Sequence, residues 1–116
     1  FAIKGAKCDI HPEVNRIIQE MIMATKPVGV ICIAPAALAR ALKNTTNIAE
    51  ITIGNDKETA EQIEKLSSRH IVCTVESFIA DEQNKIASTP AYMLAGTISE
   101  AATGIEKLVR KILDWA

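Results

Sequence analysis

The apolar run Val28-Gly29-Val30-Ile31 leads directly into Cys32-Ile33-Ala34-Pro35, and this junction constrains the fold more than any other stretch. An unbroken apolar run of this length reads as a strand covered on both faces, as in a parallel sheet with helices on each side. Pro35 marks a helix start, since its missing N–H falls where no intrahelical partner exists. A cysteine between strand end and helix start meets outward-pointing backbone N–H groups, whose field favours a thiolate and suits an oxyanion. The pattern is that of a nucleophile elbow with sulfur in place of the serine oxygen. Ala34, two residues after Cys32, has the small size such a turn wants; Val30, two residues before, does not. The competing reading is an inert buried thiol, the usual state of cysteine in an apolar run.

The flanking sequence supplies the elements such a strand needs. Residues 1–11 show no period and read as a loop. Pro12 and Glu13 open a helix over residues 12–25, with Val14, Ile17, Ile18, Met21 and Ile22 at helical spacing. Pro27 ends it. The helix after Cys32 carries Leu38, Ala41 and Leu42 inward to about residue 43. Asn44-Thr45-Thr46-Asn47 is turn chemistry, and residues 48–53 alternate as a strand. Residues 57–67 read as a solvated helix with Ala60, Ile63 and Leu66 inward, and residues 69–73 as a short strand. Residues 77–81 and 85–89 flank Glu82-Gln83-Asn84 as a hairpin, with Asn84 as the expected left-handed residue. Leu94, Ile98, Ala101, Ile105, Leu108 and Ile112 then mark an amphipathic helix of about 20 residues, in which Gly96 and Gly104 permit close approach to a neighbour.

The order of elements is an α/β pattern with too few strands to place a parallel neighbour on each side of Val28–Ile31. The sheet is therefore expected to be completed by segments preceding Phe1, roughly 100 residues on domain-size grounds, and the chain is not expected to fold stably alone. Its first residue, Phe1, fits part of a longer product. A formal net charge of −1 gives no electrostatic case for nucleic acid or an anionic membrane, and no apolar run is long enough to span a bilayer. Cys8, Cys32 and Cys73 are too widely spread for a zinc site or disulfide framework and point to a reducing compartment. No metal or cofactor is expected.

Five stretches carry a resemblance: Val28-Gly29-Val30-Ile31-Cys32-Ile33-Ala34-Pro35-Ala36; Leu42 with Ile51-Thr52-Ile53-Gly54-Asn55-Asp56; Asp81-Glu82-Gln83-Asn84-Lys85-Ile86; Thr89-Pro90-Ala91-Tyr92-Met93-Leu94; and residues 98–109. The first resembles the elbow of the PfpI-type class I glutamine-amidotransferase-like superfamily. Together they resemble the ElbB-type glyoxalases, once called enhancing lycopene biosynthesis or sigma cross-reacting proteins. The likeness covers essentially the whole chain, residues 1–116, and corresponds to the C-terminal part of a single domain of that type. It implies a flavodoxin-like three-layer α/β sandwich with a mainly parallel sheet, incomplete in this chain, and a homodimer. It also implies a lyase-type conversion of glyoxal to glycolate without glutathione, metal or other cofactor, with Cys32 as nucleophile. Its partners would be a small dicarbonyl substrate and the N-terminal half of the same protein, where such families place an assisting glutamate and a glycine-rich oxyanion loop. The location implied is cytoplasmic in a bacterium, mitochondrial in a eukaryote.

The chain departs from the wider superfamily in histidine. No His follows the strand at Ile51-Thr52-Ile53-Gly54-Asn55-Asp56, and residues 89–94 lack the His-x-Glu pair of a glutaminase, which discounts glutamine hydrolysis. His11, at a helix start, and His70, opening a strand, read as structural or solvent-facing. Around Cys32, the amides near Ile33 and Ala34 are oxyanion candidates. Tyr92 is a pocket candidate, with core packing as its alternative. Asp56 and Glu76 are loop carboxylates whose ordinary role is solvation, and Cys8 reads as a structural thiol. Two further function classes stay open: a non-catalytic binding or redox-sensing module with the same fold, and another cysteine hydrolase, which needs a His near the thiol.

Overall fold

A computed structural model describes residues 1–116. Helices and strands follow in the order α1 (Pro12–Met23), β1 (Val28–Ile31), α2 (Ala34–Leu42), β2 (Glu50–Ile51), α3 (Lys57–Glu64), β3 (Arg69–His70), β4 (Ile79–Asp81), β5 (Ile86–Thr89) and α4 (Ile98–Trp115). Single 3-10 turns lie at Gly5–Lys7, inside the stretch expected to be a loop, and at Ala91–Met93.

β1 and β5 run parallel, Val28 opposite Ile86 and Ile31 opposite Thr89. β4 pairs antiparallel with the other side of β5, and β2 and β3 form a separate parallel pair. Side chains connect the two sheets: Thr52 N–H donates to Ser88 Oγ at 2.9 Å and Glu50 N–H to Asp81 Oδ2 at 3.0 Å. Of the two neighbours expected for β1, β5 supplies one, and the opposite edge of β1 has no strand.

The layering follows from strand alternation, which sends adjacent residues to opposite faces. Val30 joins a core with Leu38, Ala39 and Leu42 of α2, Ile22 of α1, Ile63 of α3, and Ile51, Ile53 and Ile86. Gly29 faces the other way, where a Cβ would stand 2.9 Å from Leu108 Cδ2 of α4. One sheet face therefore carries the α1–α2 side and the other α4, the three-layer α/β arrangement. Gly104 is the closest approach on the α4 side, since any Cβ there would run into the carbonyl oxygen of Val75 and the Thr89 hydroxyl.

Several boundaries differ from the pattern reading, each for a local reason. The strand expected over 48–53 is regular only at Glu50–Ile51, because the next amides bond to side chains: Thr52 to Ser88, Ile53 to His70 and Gly54 to Thr52. In the hairpin, Lys85 takes the left-handed conformation (φ +54) in place of Asn84. Asn84 is held by its backbone and side-chain N–H bonds to the Asp81 carboxylate and by a side-chain bond to the Ile48 carbonyl. The last helix starts at Ile98 because Thr97 caps it, accepting from Glu100 N–H at 3.2 Å, while Glu100 reaches back to Gly96 N–H. Leu94 stays outside the helix and packs on Gly54. Ile98, expected on the inner stripe, is 77% exposed, and Gly96 faces open space apart from Glu100.

Candidate active site

The carboxyl ends of β1 and β5 lie side by side. Cys32 follows β1 directly, and its N–H donates to the Thr89 carbonyl at 3.1 Å, extending the ladder by one bond. It then turns with φ +64. A non-glycine residue in that region is strained by roughly 1–2 kcal/mol, and sharp strand-to-helix turns of this kind raise a side chain above the sheet edge. α2 begins two residues later, with Ile33 as N-cap and Pro35 in its first turn. Ile33 offers no side-chain cap, Pro35 has no N–H, and the Ala36 N–H bonds to the Ile33 carbonyl at 3.0 Å, so the amides of Ile33 and Ala34 are the uncapped ones at this helix start. The thiol is half-buried.

β5 leaves the sheet in a related way. After Thr89 and Pro90, Ala91 is left-handed (φ +46) and fully buried. Gly54, beyond the end of β2, is also left-handed and packs against Pro90 and Leu94. Three departures from extended backbone thus gather at one end of the sheet, the end where open α/β folds bind ligands. Pattern reading identified the Cys32 turn; the Thr-Pro-Ala-Tyr string after a strand was the available signal for Ala91.

The other site candidates take distinct places. Ile33 lines two adjoining cavities, of about 550 and 250 Å³, and Ala34 lines the smaller one. Phe1 is common to both; Glu58, Thr59 and Gln62 of α3 line the larger, and Cys8 and Arg40 the smaller. Cys32 itself lines none of the cavities; its sequence neighbour Ile33 does. Tyr92 sits in the turn after β5 at the same sheet end, 63% exposed, and lines neither cavity.

The two histidines are occupied. His11 Nδ1 accepts the Glu13 N–H at 3.2 Å and caps α1. His70 Nε2 accepts the Ile53 N–H at 3.1 Å, and burial holds its pKa below the ordinary value, a shift the Glu64 charge partly offsets. Asp56 caps α3 through the Thr59 N–H, and the Thr59 hydroxyl and amide keep its carboxyl below the usual range. Glu76 is exposed, and its carbonyl oxygen accepts from Lys107. Cys8 and Cys73 are buried, and burial pushes the Cys73 thiol up. No group of three or more His, Cys, Asp or Glu residues is placed to hold a metal ion.

No family model matches the chain. It is 35% identical over 123 residues to the human mitochondrial glutamine amidotransferase-like class 1 domain-containing protein 3, covering 98% of this chain and 44% of that protein. The mitochondrial ES1 protein homolog of Rattus norvegicus is 33% identical, with 98% and 45% covered. The chain thus spans less than half the length of these curated relatives. Among solved structures, an isoprenoid biosynthesis protein with an amidotransferase-like domain from Ehrlichia chaffeensis superposes with a TM-score of 0.82 and 28% identity, over 90% of this chain and 47% of that one. With its layers, its parallel β1–β5 pair and this likeness, the chain has the class I amidotransferase-like α/β fold.

Proposed function

We propose that Cys32 is the nucleophile of a cofactor-independent glyoxalase that converts glyoxal to glycolate. The observation that carries this reading is the left-handed Cys32 turn between β1 and α2, beside uncapped helix amides. The thiolate adds to one aldehyde carbon, giving a hemithioacetal alkoxide held by the amides near Ile33 and Ala34. A base removes the proton on that carbon, giving an enediolate, and the proton is returned to the neighbouring carbon. The product is a glycolyl thioester; water cleaves it, releasing glycolate and a proton and restoring the thiolate. Asp56 caps α3 and His70 accepts the Ile53 amide; in this proposal the base is a residue of the remainder of a longer chain, as the family resemblance implies. The working unit in this proposal is a homodimer of that longer chain, mitochondrial in a eukaryote as the names of the human and rat relatives state for those proteins.

The test is glycolate formation from glyoxal by the full-length protein, with a metal chelator present and glutathione absent. Cys32→Ser keeps the fold and loses turnover, while Cys8→Ser and Cys73→Ser retain it. Glycolate formation by folded Cys32→Ser protein removes Cys32 from the mechanism. A second reading, a binding or redox-sensing module, is favoured by the occupation of both histidines; absence of turnover in the full-length parent selects it.

A further inference from the structure

The turn at Cys32 is held from β5. A strained residue persists only where its surroundings over-determine it. The Cys32 backbone, at φ +64, is tied to the sheet by its N–H bond to the Thr89 carbonyl at 3.1 Å. Thr89 is itself the last residue of β5, and beyond it the chain turns away through Pro90 and the left-handed Ala91. The place of the Cys32 thiol at the sheet end depends on what fixes the end of β5.

A side chain fixes it. Thr89 is fully buried, and its hydroxyl donates to the Ser77 carbonyl at 2.6 Å, within the ordinary range for O–H···O bonds. A buried hydroxyl needs such a partner, whereas valine fills the same shape without one. The acceptor is fixed in turn. The Ser77 N–H closes a turn onto the Thr74 carbonyl at 3.2 Å, and Lys107 Nζ of α4 donates to the Glu76 carbonyl at 2.8 Å. Gly104 of α4 leaves no room for a Cβ beside the Val75 carbonyl and the Thr89 hydroxyl. Residues 74–77 are a strap clamped to α4 and bonded to the end of β5. The strap begins at Cys73, whose N–H donates to the Gly54 carbonyl at 3.2 Å, so it also ties in the segment that packs on Pro90.

We infer that Thr89 is a positioning residue for Cys32: its hydroxyl anchors it to the Ser77 carbonyl, its own carbonyl holds the cysteine amide, and together they set the thiol against the amides of Ile33 and Ala34. The inference rests on the reading of Cys32 as nucleophile. A misplacement of about 1 Å at a reacting atom costs ~100-fold in rate, so a backbone anchor this close to the thiol acts on the chemistry. The Thr89 hydroxyl is spent on Ser77 and touches no substrate in this scheme, so its effect falls on kcat and not on KM.

The experiment compares Thr89→Val, which keeps the shape and loses the hydroxyl, with Thr89→Ser, which keeps the hydroxyl, in the natural full-length protein. Two quantities are read: glyoxal turnover per folded molecule, and amide hydrogen exchange at Cys32 relative to Val28. The Val28 N–H bonds the Lys85 carbonyl at the far end of the same ladder and serves as internal reference. In Thr89→Val, Cys32 is expected to exchange at least ~10-fold faster relative to Val28, and kcat to fall at least ~10-fold with KM within about twofold. Thr89→Ser is expected to restore both. Thr89→Ala, which adds no bulk beside Gly104, replaces Thr89→Val if that variant fails to fold. An unchanged exchange ratio or an unchanged kcat overturns the inference. Equal acceleration at Cys32 and Val28 overturns it too, by making the hydroxyl a support of the whole fold, as does a Thr89→Ser protein as impaired as Thr89→Val. A full-length parent without turnover removes the reading of Cys32 as nucleophile, and the exchange ratio still decides whether Thr89 holds the Cys32 turn.

Discussion

The β1–β5 pair has left-handed residues at both ends, and the two ends use them differently. At the amino ends stand Thr25 (φ +55), before β1, and Lys85 (φ +54), before β5. At the carboxyl ends stand Cys32 (φ +64) and Ala91 (φ +46). The amino-end residues close ordinary turns. Thr25 ends α1, with its N–H on the Ile22 carbonyl and the Lys26 N–H on the Met21 carbonyl, the paired bonds of a Schellman motif. Glycine would serve there at less strain. At Cys32 the same backbone state lifts a thiol at the start of a helix, and glycine would remove the group that the turn displays. Under the proposed mechanism, strain of similar size is incidental at one end and tied to chemistry at the other.

Cys32→Gly tests that distinction most directly and should give the largest effect. Relief of the left-handed penalty leaves the full-length protein as stable as its parent or more so, by up to about 1 kcal/mol. Glyoxal turnover falls at least ~1000-fold, about 4 kcal/mol of barrier. The paired measurement is urea unfolding beside glycolate formation. A destabilised Cys32→Gly protein would show that the turn is held by contacts of the thiol rather than tolerated for its chemistry.

Next in size is Asp81→Ala, which attacks the amino-end turns alone. The Asp81 carboxylate is 5% exposed and accepts from the amides of Glu50 and Asn84 and from the Asn84 side chain. Removing it orphans those donors and should cost about 3 kcal/mol. Turnover per folded molecule is expected to stay at the parent value, since nothing at the Cys32 end is touched. A loss of turnover beyond the loss of folded protein would tie the two ends together and break the comparison.

How much of this was legible in sequence depends on how local each signal is. β1, Cys32 and α2 were readable because an apolar run, a cysteine and a helix-starting proline are adjacent. α1 was readable from its period and from Pro12. The truncation of β2 was not, since the acceptors that divert the Thr52 and Ile53 amides are Ser88 and His70, distant in sequence and close only after folding. Lys85 takes the left-handed turn because Asn84 is held by Asp81 and Ile48, a constraint no dipeptide preference contains. Periodicity marked α4 as amphipathic yet could not say which part of its apolar arc meets the sheet, so Ile98 was misplaced. At the candidate site the cysteine was legible; the exposure of Ile33 in a groove and the buried, left-handed Ala91 arise from tertiary packing.

His70 gives a smaller, pH-dependent effect at the carboxyl side, through the segment that leads to Gly54. Its Nε2 must be unprotonated to accept the Ile53 N–H, and burial lowers its pKa below 6.5 in the folded protein. The unfolded chain therefore binds the proton more readily, so stability rises with pH through this region. The contribution is fully present above about pH 6.5 and is lost as pH falls through the lower folded value. Urea midpoints measured from pH 7.5 to 5 should fall on acidification, and His70→Gln should flatten that part of the profile. An identical slope in the variant would assign the acid sensitivity to other groups.

Thr25→Gly should show the smallest effect and the cleanest contrast with Cys32→Gly. The side chain is exposed and makes no hydrogen bond of its own, so the substitution changes little besides the backbone. A β-branched residue in the left-handed region pays more than most, and glycine is the preferred residue at this position of a Schellman turn. Part of the gain is returned through the greater freedom of glycine in the unfolded chain. The net expectation is a rise of about 0.5–1 kcal/mol, read as a higher urea midpoint with an unchanged m-value. Turnover is unaffected. The two glycine variants then share one sign in stability and differ by orders of magnitude in activity. If Thr25→Gly lowers stability instead, the strain at the amino end is compensated by packing of the threonine side chain, and the two ends of β1 are more alike than their chemistry suggests.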